Sequence, residues 1–415
     1  MTLALCALLS FADEPFRNHR YDSWKSLTLP DHAIVFVGNS ITDMHPWTEA
    51  FGNDPRIVNR GCSGAVSVEL IEHVDSWVDG RTDKVFLMIG TNDLGWDSTT
   101  SSVVSHVAEL IGEIRNRNRT ADIYIQSILP ARDQRNRTME TLQETNEQLK
   151  ELAIRNQGVE YIDLFEPLKG ILLDEPYSLD RLHLEALGYK IWCETIMPYV
   201  GLPCTYAPTT ADCQETGGLG AANGMRATYF STLPVDNNDI LFFGDELVKC
   251  GEWNELLHSE RIKNRGTGWG RGGNIQTTMK MVEVSLSENC PGMSHKRPSH
   301  ILLYTGSDDV IGSNELVAVE ESYKELVERT KELAPNCPIT VIGLVRQSTS
   351  WGRISEFNDW LQSVAKDDPE MSYVDINQKL TDKKGRVQKD FMQDDYLYHK
   401  GYEAMADAIR VMIGL

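Results

Sequence analysis

From Asp31 the sequence passes through an ordered set of landmarks: an apolar run AIVFVGNS, then Trp47 and Glu49, then RIVNRGCSG, KVFLMIGTND, DIYIQSIL and VEYIDL. From Asn238 the same order returns as DILFFGDE, Trp253 and Glu255, RIKNRGTGWG, HILLYTGSDD, PITVIGLV and MSYVDI. The Gly38-to-Trp47 interval equals the Gly244-to-Trp253 interval, and both copies carry an Asn-Arg-Gly triplet, at 59–61 and 264–266. An internal repeat on this scale settles the architecture before any single element does. At 415 residues the chain also exceeds what one hydrophobic core usually organises. Duplication of one α/β unit is the simple explanation.

The landmark runs are short and continuously apolar, as strands are when helices cover both faces of a sheet. Helix-period segments lie between them. VVSHVAELIGEI places Val103, Val107, Leu110, Ile111 and Ile114 on one stripe, and the second half spaces Val319, Tyr323 and Val327 by four. Strands alternating with helices predict an α/β fold class: two tandem three-layer α/β/α sandwiches, each on a parallel sheet. Between the halves, CTYAPTTADCQETGGLGAANG is rich in Thr, Ala and Gly without a sustained apolar period, and reads as a linker. The expected divisions are 1–12 as a leader remnant, 13–203 and 225–415 as domains, and 204–224 as the linker.

The opening MTLALCALLSFADEPF has a short apolar run ending in Ser10-Phe11-Ala12. It is read as the tail of a secretory signal peptide, although no Lys or Arg precedes the run. Periplasmic or secreted localisation is the matching expectation. Leu5 before Cys6 is bulky for a lipoprotein site, and no segment approaches the roughly 20 apolar residues of a membrane span. A net charge of −21 argues against nucleic-acid binding, which needs a basic face. The cysteines form no C-x-x-C pair and no H-E-x-x-H helix occurs, so neither metal nor cofactor is expected. Cys204 and Cys213 flank a flexible segment and are candidates to pair in an oxidising compartment; the other cysteines read as buried small hydrophobes.

In an open parallel sheet, ligands sit beyond the carboxyl ends of the strands. Ser40 lies just past the first strand, Gly61 past the second and Asn92 past the third; DRLHL, with Asp180 and His183, precedes the last helix of the first half. Each has a plainer reading alone: Ser40 as a helix N-cap, Gly-Thr-Asn-Asp as a turn, His183 as a buried structural histidine with Asp180 its partner. Four turns converging on one edge are harder to explain that way. His45, His73 and His106 lack such a context and read as packing or surface residues.

Together, Gly38-Asn39-Ser40, Asn59-Arg60-Gly61, Gly90-Thr91-Asn92-Asp93 and Asp180-x-x-His183 resemble the four blocks of the SGNH (GDSL-type) hydrolase family. The resemblance runs over residues 31 to 200. Its wording, FVGNSIT, NRGCSG and GTNDL, is nearest the platelet-activating-factor acetylhydrolase-like branch and bacterial carbohydrate O-acetylesterases, including sialate-type enzymes. It implies a flavodoxin-like fold and a catalytic triad of Ser40, His183 and Asp180. A serine hydroxyl becomes a nucleophile when an imidazole takes its proton, and a carboxylate fixes that imidazole's tautomer. The implied oxyanion donors are the backbone N–H of Ser40, the backbone N–H of Gly61 and the Asn92 amide.

In the second half the same landmarks carry Glu246 in place of Ser40 and Asp308 in place of Asn92, while Gly266 keeps the place of Gly61. Matching Gly401-Tyr402 to Gly188-Tyr189 puts Tyr396 where His183 stands; a gapped match offers Asp395 and His399 instead. Glutamate is a poor nucleophile for this route, and a carboxylate repels an oxyanion. A degraded copy retained for packing is therefore expected, ahead of a different acid–base or metal site made from Glu246, Asp308 and His399. NRGTGWGRGGN lacks the Lys-Ser/Thr of a phosphate-binding loop, which leaves Trp269 as a candidate stacking surface for a sugar or apolar ligand.

The leading expectation is a serine esterase acting on short-chain esters, with O-acetylated carbohydrates as substrates. Lysophospholipase or thioesterase action is the alternative, since acyl pockets in this fold lie on variable loops. From other classes come a glycan-binding protein with a weakly active first domain, and a second domain standing in for a partner subunit in a dimer-like pair.

Overall fold

The computed structural model describes residues 14–132, 136–170, 177–208, 220–268, 274–287, 297–313, 315–345, 351–393 and 396–415. The chain divides into two compact units, Met1–Cys213 and Gln214–Leu415. The first holds strands β1 (Ala33–Gly38), β2 (Ile57–Gly61), β3 (Thr82–Met88), β4 (Asp122–Gln126) and β5 (Val159–Ile162). They form one parallel sheet in the order β2-β1-β3-β4-β5. The second holds β6 (Ile240–Gly244), β7 (Ile262–Gly266), β8 (His300–Tyr304), β9 (Ile339–Ile342) and β10 (Met371–Val374). Its parallel order, β7-β6-β8-β9-β10, is the same topology.

Every residue of β1 and of β6 is buried, which requires cover on both faces of each sheet. The cover comes from helices whose stripes were legible in sequence. Thr100–Arg117 starts where the Thr99 side chain accepts from Ser102 N, and it buries Val103, Val107, Leu110, Ile111 and Ile114. Burying each large apolar side chain of that stripe stabilises by roughly 1.5–3 kcal/mol over leaving it exposed. Leu316–Leu333 buries Val319, Tyr323, Leu326 and Val327 in the second unit. No helix among the described residues is long and apolar enough to cross a membrane.

The segment 204–224 is not a free linker throughout. Thr205 N donates to Ala50 O at 2.8 Å, tying its start to the first unit, and a helix already begins at Gly220, running to Phe230. That helix forms because Met225, Ala227, Tyr229 and Phe230 all become buried. A second helix absent from the sequence reading, Glu14–Ser26, precedes β1 and buries Phe16, Tyr21 and Trp24. The leader residues 1–12, Trp269, Cys213 and Asp395 lie outside the described residues. Cys62, Cys193 and Cys337 are buried thiols outside any disulfide, Cys204 is a half-buried one, and Cys250 is buried.

Candidate active site

Ser40 opens a single helical turn, Ser40–Asp43, directly after β1. The turn forms because the Asn39 side chain accepts from Ile41 N at 3.0 Å and the Asn39 carbonyl accepts from Asp43 N at 2.9 Å. Gly38 must be glycine here: a Cβ would fall 2.3 Å from the Met88 carbonyl oxygen. Three neighbours then hold the turn's outward carbonyls. Tyr189 donates to Ile41 O at 2.6 Å, and Trp47 Nε1 donates to Thr42 O at 2.9 Å. Asn59 Nδ2 reaches the carbonyls of Thr42, Asp43 and His45 at 3.1–3.2 Å.

His183 comes from the segment before the helix Ala186–Val200, where Glu185 N donates to Tyr177 O at 2.8 Å and Arg132 N donates to Arg181 O at 3.0 Å. Its Nε2 lies 2.8 Å from Ser40 Oγ, and its Nδ1 lies 2.6 Å from Asp180 Oδ2. The other Asp180 oxygen accepts from the backbone N–H groups of Leu182 and His183 at 3.0 and 2.8 Å. Burial by itself would raise the Asp180 pKa. The His183 ring and those two donors outweigh it, holding the carboxyl at about 2. Ser40 and His183 are both buried, so a proton passing between them is shielded from bulk water. The structure thus joins Ser40, His183 and Asp180 in one hydrogen-bonded chain, as a nucleophile, base and orienting carboxylate need to be.

Asn92 lies in the turn Thr91–Gly95 after β3, and its Nδ2 donates to Ala65 O at 2.9 Å. That uses one of two amide hydrogens. Asp93 beside it accepts from Ser67 N through both oxygens at 3.1 Å, fixing the helix Ser67–Glu72. The Gly61 N–H differs from the sequence expectation. It donates to Asn59 Oδ1 at 2.8 Å and is occupied, so Gly61 is not a free oxyanion donor. Gly61 is glycine for packing, because a Cβ would lie 2.1 Å from Asp43 N. Another candidate donor, one that the motif alone does not single out, is Gly64 in the same NRGCSG run. It has φ +85°, a region that favours glycine, and follows a loop tied down by Cys62 N donating to Gly38 O at 2.9 Å. Its neighbour Ala65 is the residue that the Asn92 amide holds. The sequence signal was a second glycine three residues on from the first.

The second unit repeats the framework with different residues at the polar positions. Asp245 accepts from Leu247 N at 3.1 Å as Asn39 does from Ile41, and Asn264 Nδ2 reaches the carbonyls of Val248, Lys249 and Gly251 at 2.9–3.1 Å. Gly306, with φ +110°, matches Gly90, with φ +118°. Glu246 therefore stands at Ser40's place and Asp308 at that of Asn92. Tyr398 N donates to Phe391 O at 2.9 Å as Glu185 N does to Tyr177 O, which puts Tyr396 where His183 stands. His399 begins the final helix instead, its Nε2 3.1 Å from Glu403 Oε1. Burial, with Asp308 and Glu246 adding repulsion, pushes the Asp245 carboxyl well above the usual carboxylate range. Among the described residues no three His, Cys, Asp or Glu side chains group as metal ligands.

Residues 36–191 match the family described as GDSL-like Lipase/Acylhydrolase. Among solved structures, a Streptococcus pneumonia protein described as a platelet activating factor is 29% identical, with a TM-score of 0.43, over 48% of this chain and 97% of its own. A GDSL-like lipase from Bacteroides thetaiotaomicron is 19% identical, with a TM-score of 0.36, over 44% of this chain and 98% of its own. A carbohydrate esterase family 3 protein from Talaromyces cellulolyticus is 16% identical, with a TM-score of 0.34, over 40% of this chain and 96% of its own. A comparison with curated proteins finds no match. The matched segment begins inside β1 and ends in the helix that follows His183, so it contains the whole hydrogen-bonded chain. Within the first unit, residues 36–191 are thus the part of the chain that matches the GDSL-like Lipase/Acylhydrolase family.

Proposed function

We propose that the first unit hydrolyses short-chain carboxylic esters through an acyl-enzyme on Ser40, with O-acetyl groups on carbohydrates as its substrates. The observation that carries the reaction is the bond chain of 2.8 Å from Ser40 to His183 and 2.6 Å from His183 to Asp180. His183 Nε2 takes the Ser40 proton as Oγ attacks the ester carbonyl, and Asp180 holds the ring and balances the imidazolium that forms. The oxyanion is received by the Ser40 N–H, the Gly64 N–H and the second hydrogen of the Asn92 amide. One such donor is worth roughly 3–4 kcal/mol in the transition state. His183 then returns the proton to the leaving alcohol, and water releases the acid by the same steps reversed in role.

The preference for acetyl rests on the wording of the motifs, FVGNSIT, NRGCSG and GTNDL. With Glu246, Asp308 and Tyr396 at the corresponding places, the second unit is proposed to be non-catalytic. Hydrolysis of p-nitrophenyl esters from acetyl to octanoyl, with Ser40→Ala as control, tests the proposal. Turnover best on the acetyl ester and lower by about 10³-fold or more in the variant is expected. Full activity in Ser40→Ala would overturn the assignment of the nucleophile, and a preference for octanoyl would move the substrate to lipid-like esters.

A further inference from the structure

The helix Glu14–Ser26 lies outside the sheet and outside every motif, yet it reaches the loop between Cys62 and Val66 at two points. Arg20 Nη2 donates to Asp43 Oδ1 at 3.3 Å, and the second Asp43 oxygen accepts from Ser63 Oγ at 2.5 Å. Arg17 Nε donates to Glu69 Oε1 at 2.7 Å, and the second Glu69 oxygen accepts from Val66 N at 3.3 Å. Each carboxylate therefore bridges an arginine of this helix to one end of the same loop. Between those ends lie Gly64, with its candidate oxyanion N–H, and Ala65, whose carbonyl holds Asn92. Asp43 also closes the helical turn begun at Ser40.

We infer that Arg20, Asp43 and Ser63 form a positioning strut that sets the oxyanion loop against the nucleophile turn. The inference rests on the reading of Ser40 as nucleophile. A charge-assisted bond shielded from water is stronger than its exposed counterpart, and the Arg20 and Asp43 side chains are only 4% and 10% exposed. Donors aimed in advance cost no reorganisation when the oxyanion forms. The strut acts on that aim and touches no substrate atom.

The second unit serves as an internal comparison. There Arg226 and Arg265 sit 5.0 and 4.9 Å over the Phe230 ring, as Arg20 and Arg60 sit 5.1 and 5.7 Å over Trp24. The arginine–aromatic framework is thus shared. The strut is not: Lys249 occupies the place of Asp43 and Gly268 that of Ser63, and Arg226 Nε donates to Gly266 O at 2.9 Å. The unit that keeps a serine after its first strand keeps the strut, and the unit with Glu246 has lost it.

The test measures kcat and KM on p-nitrophenyl acetate and the rate of serine phosphonylation by a fluorophosphonate. The full-length proteins compared are wild type, Ser40→Ala, Arg20→Ala, Arg20→Lys, Ser63→Ala, Arg20→Ala/Ser63→Ala and Lys25→Ala. Lys25, on the same helix, makes an exposed ion pair with Asp75 and is the control. Arg20→Ala and Ser63→Ala are expected to lower kcat and phosphonylation together by about tenfold or more while KM stays within about twofold. The double variant should fall little further, Arg20→Lys should recover part of the loss, and Lys25→Ala should match wild type. Thermal unfolding checks folding, and Ser63→Ala, which removes one hydroxyl, carries the test if Arg20→Ala does not fold. Unchanged kcat and phosphonylation in folded Arg20→Ala and Ser63→Ala would overturn the strut alone. A wild type without Ser40-dependent phosphonylation would overturn the esterase reading and the strut with it.

Discussion

Alanine at position 61 would place a methyl carbon 2.1 Å from Asp43 N, 2.5 Å from Asp43 Cα and 2.6 Å from the Thr42 carbonyl carbon. All three are backbone atoms, so no side-chain rotation relieves the contact. Non-bonded heavy atoms want about 3.5 Å, so the Ser40–Asp43 turn must retreat by about 1.4 Å at its nearest contact. Overpacking of this kind costs about 1–3 kcal/mol of stability. The retreat also carries Ser40 Oγ away from His183 Nε2, now at 2.8 Å, and about 1 Å of misplacement is worth about 10²-fold in rate. Gly266→Ala delivers the same insult in the second unit, with Lys249 N at 2.2 Å and the Val248 carbonyl carbon at 2.7 Å, but no nucleophile rides on that turn. The two variants should therefore lose similar stability in thermal unfolding, while only Gly61→Ala loses kcat on p-nitrophenyl acetate. Full kcat in Gly61→Ala, or an equal loss in Gly266→Ala, would refute the reasoning.

Two further perturbations test other parts of the account. The His45 ring stacks on Tyr189 at 4.2 Å, and burial holds its pKa down at about 3. Since an unfolded histidine titrates near about 6.5, its contribution is complete above that pH and is lost, by about 1.4 kcal/mol per pH unit, as pH falls toward the folded value. His45→Phe should keep the stacking and flatten the fall in urea midpoint between pH 7 and pH 4.5, and equal slopes in both proteins would count against it. Glu246→Ser in a Ser40→Ala background should give no esterase activity, because Tyr396 stands where a base is needed. Serine-dependent turnover there would end the view of the second unit as non-catalytic.

The strands and the polar strand ends were legible because buried parallel strands are continuous apolar runs and ligand-facing residues follow them directly. Ser40, Asn92 and the Asp180–His183 spacing could all be placed that way. The helix Glu14–Ser26 could not. Its buried Phe16, Tyr21 and Trp24 are interleaved with Arg17, Arg20 and Lys25, whose charges mask the apolar face until Asp43, Glu69 and Asp75 are found opposite them. Gly61 and Gly64 were indistinguishable in sequence, since what separates them is the Asn59 carboxamide bending back onto the Gly61 N–H. The helix from Gly220 was hidden because Gly217, Gly218, Gly220 and Gly224 break up the pattern around it, although Ala221, Ala222, Met225, Arg226 and Ala227 favour helix and Tyr229 and Phe230 become buried.

That Asn59 carboxamide also bears on how the protein ages. Its nitrogen shares two hydrogens among three carbonyls, bonds that require an amide, while its oxygen accepts the Gly61 N–H. Deamidation would turn the nitrogen into a carboxylate oxygen and aim negative charge at three carbonyl dipoles beneath Ser40. The reaction needs the next residue's backbone nitrogen to swing into the side chain, and here that residue, Arg60, is locked inside β2 opposite Val37. The asparagine whose hydrolysis would do most damage to the nucleophile turn is thus held where the strand itself blocks the chemistry, and the clamp of Asn264 inside β7 has the same protection.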